Sequence, residues 1–252
     1  MKKRKSSITS TILLVVSVLV FLFSGYKLFS IFMEYQKGDR EYENLQEEIV
    51  KHQETIEEVV FSVDFEKLKE INPETVAWIR FTEPSKISYP VVQTTDNDKY
   101  LKRTFEGKRN ASGAIFMDAS NANDFSDRNT FVYGHNMKNG SMFAQLRKYK
   151  DATFCQQNPY FYIYTPDGLE IKYEIFAVAI VEDTAMNYKK DFGSDQEYVE
   201  YLKQIKSTAR YCTGAELDAG AQMVSLSTCT NVTETQRLLI HGVKIEQKVV
   251  GE

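Results

Sequence analysis

Apolar positions change their period three times along the chain. From Ile8 to Tyr26 there are 19 residues without a charge, and apolar side chains continue through Leu28, Phe29, Ile31 and Phe32. About 20 such residues cross the hydrocarbon layer of a bilayer as a helix, so the run predicts a transmembrane segment over 8–32. The stalk over 33–62 is strongly charged, with apolar residues at Leu45, Ile49, Ile56, Val59 and Val60 as a sparse helical stripe. That sparse stripe predicts a helical stalk that docks near its end.

From Val63 onward the period becomes two. Runs at 76–81, 87–93, 114–117, 129–135, 160–164, 169–181, 224–229 and 236–243 read as strands separated by polar or Pro/Gly turns. Two helical patterns interrupt them. Phe143, Leu146 and Tyr149 share a face behind Ser141 as a candidate cap. Tyr198, Tyr201, Leu202 and Ile205 share another over 195–211. About eight strands with few helices predict a mainly β domain, a closed eight-stranded β-barrel with peripheral helices, over residues 63–247. Short tails remain at 1–7 and 248–252.

Charge adds a direction. Lys2, Lys3, Arg4 and Lys5 precede the apolar run, and no small-residue cleavage signal follows it. The alternative is a cleaved signal peptide. An uncleaved anchor keeps its basic flank in the cytoplasm and the remaining chain outside. The formal net charge of −4 over 252 residues offers no basic patch for nucleic acid. Three cysteines without C-x-x-C spacing and three histidines without H-E-x-x-H give no zinc motif, and no cofactor is expected.

The chemistry concentrates in VSLSTCTNVTETQRLLIHGV, residues 224–243. If its two strands pair as a hairpin, Cys229 at the end of one meets Arg237 at the start of the other. A thiolate attacks acyl carbons, and a nearby cation favours the charged form. The alternative is an inert buried thiol, the reading given to Cys155 and Cys212. His135 ends a strand before a glycine-containing turn and is the candidate proton donor. His241 is its rival. It lies four strand positions, about 13 Å, from Arg237 and reads as structural. Arg237 offers a permanently charged fork of donors to an oxyanion or a substrate; the alternative is a surface arginine paired with Glu234.

These stretches resemble one family, the sortases, and within it class B. The resemblance is carried by NTFVYGHNMKNGSMF around His135, SLSTC ending at Cys229, and Arg237 on the next strand. INPETVAWIRF, ISYPVVQ and GAIFMD are similar to that class as well, so the likeness runs from about Val63 to Gln247. Ser225 stands where the family commonly has Thr. The resemblance implies a membrane-anchored cysteine transpeptidase on the surface of a Gram-positive bacterium. Cys229 would attack the Thr carbonyl of a C-terminal sorting motif on a secreted protein. His135 would protonate the departing amine, and a cell-wall peptide or pilin-like protein would supply the new one. Arg237 would hold the substrate threonine or the oxyanion, with backbone N–H groups near Thr230 completing the hole. Asn97, Leu101 and Ser227 would line the substrate groove. Two other readings stay open: a hydrolytic cysteine protease on the same site, and a non-enzymatic membrane-tethered binding domain.

Overall fold

The computed structural model describes residues 8–54, 59–215 and 217–250. Helix α1 (Ile8–Ile49) runs without a break from the apolar segment into the folded body. Its apolar part is exposed along its length, whereas Tyr42, Leu45 and Ile49 are buried. The docking starts earlier than the sparse stripe suggests, because polar groups carry it. Tyr42 donates to the Gly113 carbonyl at 2.7 Å, and Gln46 donates to the Ser88 carbonyl at 2.7 Å.

The predicted stalk helix over 33–62 is corrected beyond Ile49. There the chain turns into a hairpin of β1 (Val50–Glu54) and β2 (Val59–Val63), paired from Val50↔Val63 to Glu54↔Val59. β-branched Val59 and Val60 favour the pleated backbone. Ile56 lies outside the described residues. Helix α2 (Phe65–Ile71) follows, capped by the Asp64 carboxylate, which accepts from the Lys67 N–H.

The remaining strands are β3 (Thr75–Phe81), β4 (Ser88–Val92), β5 (Ile115–Met117), β6 (Asn129–Tyr133), β7 (Tyr160–Tyr164), β8 (Leu169–Glu182), β9 (Tyr211–Cys212), β10 (Met223–Cys229) and β11 (Gln236–Val249). Eight of them form a ring in the order β11-β10-β6-β5-β4-β3-β7-β8, closed by antiparallel pairing of β8 with β11. The barrel expected from the strand count is therefore present, and β9 is a short addition on β8. Most neighbours are antiparallel; β4–β5 and β6–β10 are parallel.

Inner-face residues such as Val224, Leu226, Leu238 and Ile240 fill the barrel with Phe81 and Phe161. A second apolar cluster lies on the outside of the wall. There Tyr198, Tyr201, Leu202 and Ile205 of α4 (Asp195–Thr208) cover Phe176, Met223 and Val243. The segment Phe143–Lys150 is a 3-10 helix, and Phe143, Leu146 and Tyr149 are all buried. A spacing of three suits three residues per turn. Ser141, expected as its cap, bonds the Asn139 side chain instead at 2.8 Å. Helix α3 (Ala152–Gln157) buries the free thiol Cys155.

Candidate active site

The parallel pairing of β6 with β10 explains why residues far apart in sequence meet. Their register runs from Asn129↔Met223 to Tyr133↔Ser227, so both strands end at the same rim of the barrel. His135 and Cys229 each lie two residues past that last rung. The ladder continues through Gly134, whose N–H donates to the Ser227 carbonyl at 3.2 Å. A Cβ at Gly134 would sit 2.7 Å from the Phe143 ring, so a side chain here would push the His135 segment off the strand. β11 returns antiparallel and sets Arg237 directly opposite Cys229.

Alternation decides which face these groups occupy. Val224 and Leu226 point into the barrel; Met223 lies under α4 outside it. Ser225, Ser227 and Cys229 share the face of Met223, so the thiol stands on the outer wall, at the end that α4 leaves uncovered. Two side-chain amides then tie the histidine loop to the cysteine strand. Asn136 donates to the Cys229 carbonyl at 2.8 Å, and Asn231 donates to the Asn136 carbonyl at 3.1 Å.

A groove of about 430 Å³ opens on this rim. Cys229, His135, Arg237, Asn97, Leu101 and Ser227 all line it. Thr230 does not. Its N–H donates to the Gln236 carbonyl at 3.1 Å and its hydroxyl to the Gln236 side chain at 3.0 Å. That N–H is engaged in the turn between β10 and β11.

His135 Nε2 lies 2.8 Å from the Leu101 carbonyl. A carbonyl only accepts, so Nε2 carries the hydrogen and Nδ1 is the nitrogen left to exchange a proton. Arg237 is held from behind. Its Nη2 donates to Asp183 Oδ2 at 3.0 Å and its Nη1 to the Glu234 carbonyl at 2.6 Å. The surface pairing with the Glu234 carboxylate is thus replaced by a bond to that residue's backbone and an ion pair with Asp183.

Sequence reasoning missed the other wall of the groove. Tyr188 sits in a 3-10 turn (Met186–Tyr188) beyond β8, stacks on Phe131 with ring centroids 5.2 Å apart, and shares a 2.8 Å hydrogen bond with Ser227. Burial pushes its phenol up to about 12, so it stays a neutral hydrogen-bond partner. Beside it, Lys190 reaches Asp118 at 2.7 Å. Burial alone would raise the Asp118 carboxyl, but donors from Lys190, Ser120 and Tyr133 outweigh it and hold it down at about 2. The same carboxylate accepts from the Asn97 amide at 3.2 Å and the Tyr133 hydroxyl at 2.9 Å. One buried charge therefore fixes side chains from both sides of the groove. The only sequence cue was Asp118 at the end of a short strand.

His241 is not in the groove. It is fully buried, and burial depresses it to about 3. Ser225 Oγ donates to Asn129 Oδ1 at 2.7 Å, which leaves His241 Nδ1 to donate to Ser225 Oγ at 2.8 Å. Asn129 in turn donates to Tyr201 of α4 at 2.9 Å. The reading of His241 as scaffold agrees with this placement.

Comparison with known proteins adds the chemistry. A family model described as the sortase domain matches residues 82–245. Sortase B of Listeria monocytogenes is 33% identical over 260 residues, covering 95% of this chain and 98% of that protein. Sortase B of Staphylococcus aureus is 31% identical, covering 93% and 94%. The chain belongs to the class B sortases. Sortase B from B. anthracis, solved in complex with AAEK1, superposes with a TM-score of 0.73 at 35% identity, over 85% of this chain and 99% of that one.

As a sortase, the protein is a cysteine transpeptidase. Such an enzyme needs a thiol that a peptide can reach. Cys155 is buried, and burial pushes its thiol up. Cys229 is half-buried and faces the groove.

Proposed function

We propose that this sortase is a membrane-anchored transpeptidase whose nucleophile is Cys229, whose acid is His135 and whose substrate clamp is Arg237. The Cys229 thiol passes its proton to His135 Nδ1 as its sulfur adds to the carbonyl carbon of a threonine in a C-terminal sorting motif. Collapse of the tetrahedral adduct breaks the C–N bond, and His135 gives its proton to the departing amine. An amine of a cell-wall peptide or a pilin-like protein then attacks the thioester carbon, the new C–N bond replaces the C–S bond, and the amine's proton returns through His135 to the Cys229 sulfur. Arg237, held by Asp183, offers its fork to the substrate carbonyl or the oxyanion. Asn97, Leu101 and Ser227 line the path of the motif. The observation that carries the reading is the shared rim. Parallel strands end together at His135 and Cys229, with Arg237 opposite.

The apolar segment over 8–32 serves as the anchor, with the short basic tail in the cytoplasm and residues 63–247 outside as the catalytic unit. The exposure of the apolar side chains Ile12, Leu13 and Leu14 supports the span, and the basic flank supports the orientation. The test uses the full chain in detergent with a library of peptides, with and without an amine acceptor. An amine-dependent ligated product that disappears in Cys229→Ala is the expected result. Hydrolysis alone, unaffected by any amine, would make the enzyme a protease. Peptide binding without turnover would leave only a binding domain.

A further inference from the structure

A second cleft lies where the anchor helix meets the barrel. It has a volume of about 340 Å³ and is lined by Lys37, Arg40 and Glu41 of α1 and by Thr104, Lys108 and Arg109 of the loop between β4 and β5. Its height above the apolar segment follows from helix geometry. Lys37 and Arg40 lie five and eight residues beyond Phe32, about 7.5 and 12 Å along the axis. The loop is brought down to the same level. Asn110 donates to the Glu34 carbonyl at 2.8 Å, and the Ala111 N–H donates to the Glu34 carboxylate at 2.9 Å. The headgroup layer of a bilayer is about 5–8 Å deep on each side, and Lys and Arg side chains reach several ångströms toward it.

The charges in the cleft are unequally engaged. Glu41 is buried; it accepts from the Glu106 N–H at 3.1 Å and lies 3.7 Å from Lys108, which also pairs with Glu106. These three residues largely satisfy one another. Lys37, Arg40 and Arg109 have no ion pair among the described residues. The floor holds an unsatisfied donor as well. Thr104 is 1% exposed, and its hydroxyl has no hydrogen-bond partner. A buried hydroxyl without a partner is destabilising, and a ligand oxygen would satisfy it.

We propose that this cleft binds the phosphodiester headgroup of an anionic glycerophospholipid of the surrounding bilayer. Arg40 and Arg109 flank the phosphate, Thr104 donates from the floor, and Lys37 closes the membrane side. The lipid would seat the barrel on the bilayer surface beside its own anchor. The inference rests on reading residues 8–32 as a membrane span.

The test is native mass spectrometry of the full chain in detergent, offered equal amounts of phosphatidylglycerol and phosphatidylcholine. Retention of phosphatidylglycerol in preference to phosphatidylcholine is expected, with the preference falling about fivefold for each cation removed in Arg40→Gln and Arg109→Gln. Thr104→Val should weaken it while leaving the melting temperature of the barrel unchanged or higher. Equal retention of both lipids, or a preference unchanged in the double variant, overturns the proposal. So does an inorganic phosphate adduct that replaces the lipid when phosphate is in excess. Failure of the anchor reading looks different: the full chain would then partition into the aqueous phase without detergent.

Discussion

At the scale of single residues, the groove is built from groups held by others. Arg237 is an example. Asp183 and the Glu234 carbonyl take two of its donors, so its direction is set before substrate arrives. With Arg237 as the proposed clamp, Arg237→Ala should lower kcat/KM by about 10²–10³, the usual cost of losing one oxyanion donor. Asp183→Asn keeps the guanidinium but loosens it; a smaller loss of about tenfold in steady-state turnover is expected. Thiol accessibility gives a separate check. Iodoacetamide on the folded enzyme should modify Cys229 and leave Cys155 intact, read by peptide mass mapping, because Cys155 is buried and its thiol is pushed up.

His241 supplies a pH dependence whose sign is fixed. Its folded value is about 3, against about 6.5 when unfolded. The fold therefore accommodates only the neutral ring, and the unfolded chain takes up the proton first. The contribution is complete above about 6.5 and is lost as pH falls toward 3, by about 1.4 kcal/mol per unit. Urea unfolding should show the native protein losing about 2 kcal/mol more than His241→Gln between pH 6.5 and pH 5. An equal loss in both would exclude His241 as the source.

At the scale of elements, the amide bonds from Asn136 and Asn231 join the histidine loop to the cysteine strand. Asn136→Ala cuts the direct one and lets His135 and Cys229, the proposed acid and nucleophile, drift apart. A displacement near 1 Å costs about 10²-fold, so kcat should fall by one to two orders of magnitude with KM little changed, in steady-state assays. The barrel has a comparable tight point at Gly242, where β11 shifts register. A Cβ there would overlap the Phe161 ring, which stacks on Tyr173. Gly242→Ala should destabilise by about 1–3 kcal/mol through overpacking, visible as a lower melting temperature.

What alternation could reveal follows from the same elements. It marked β10 and β11 and the pairing of Cys229 with Arg237, because a hairpin is local. The tyrosine spacing marked α4 for the same reason. It did not mark β1 and β2, whose short apolar signal is diluted by the charged residues before them. Nor did it reach Asp183, Tyr188 and Lys190. These polar residues follow a long strand, and nothing local tells that closure of β8 on β11 carries them to the cysteine. Nor could it show that the turn after β10 engages the Thr230 N–H. His135 could be joined to Cys229 only through the family resemblance, since parallel pairing across about ninety residues leaves no periodic trace.

At the scale of the whole molecule, α1 crosses from its apolar segment into the barrel without a hinge. Tyr42 bonds Gly113, and a Cβ on Gly113 would lie 3.0 Å from the His135 ring. Tyr42 is ten residues beyond Phe32, so with the apolar segment in a bilayer the groove stands about 15 Å from the hydrocarbon edge. The catalytic centre then sweeps a thin layer parallel to the membrane rather than a hemisphere around a flexible leash. Encounters with cargo leaving the same membrane become a search in two dimensions at raised effective concentration. Cargo released into bulk gains nothing from it. A Gly-Ser insertion between Met33 and Glu34 would restore the leash: ligation of membrane-held cargo in cells should drop, while turnover of free peptide in detergent stays the same.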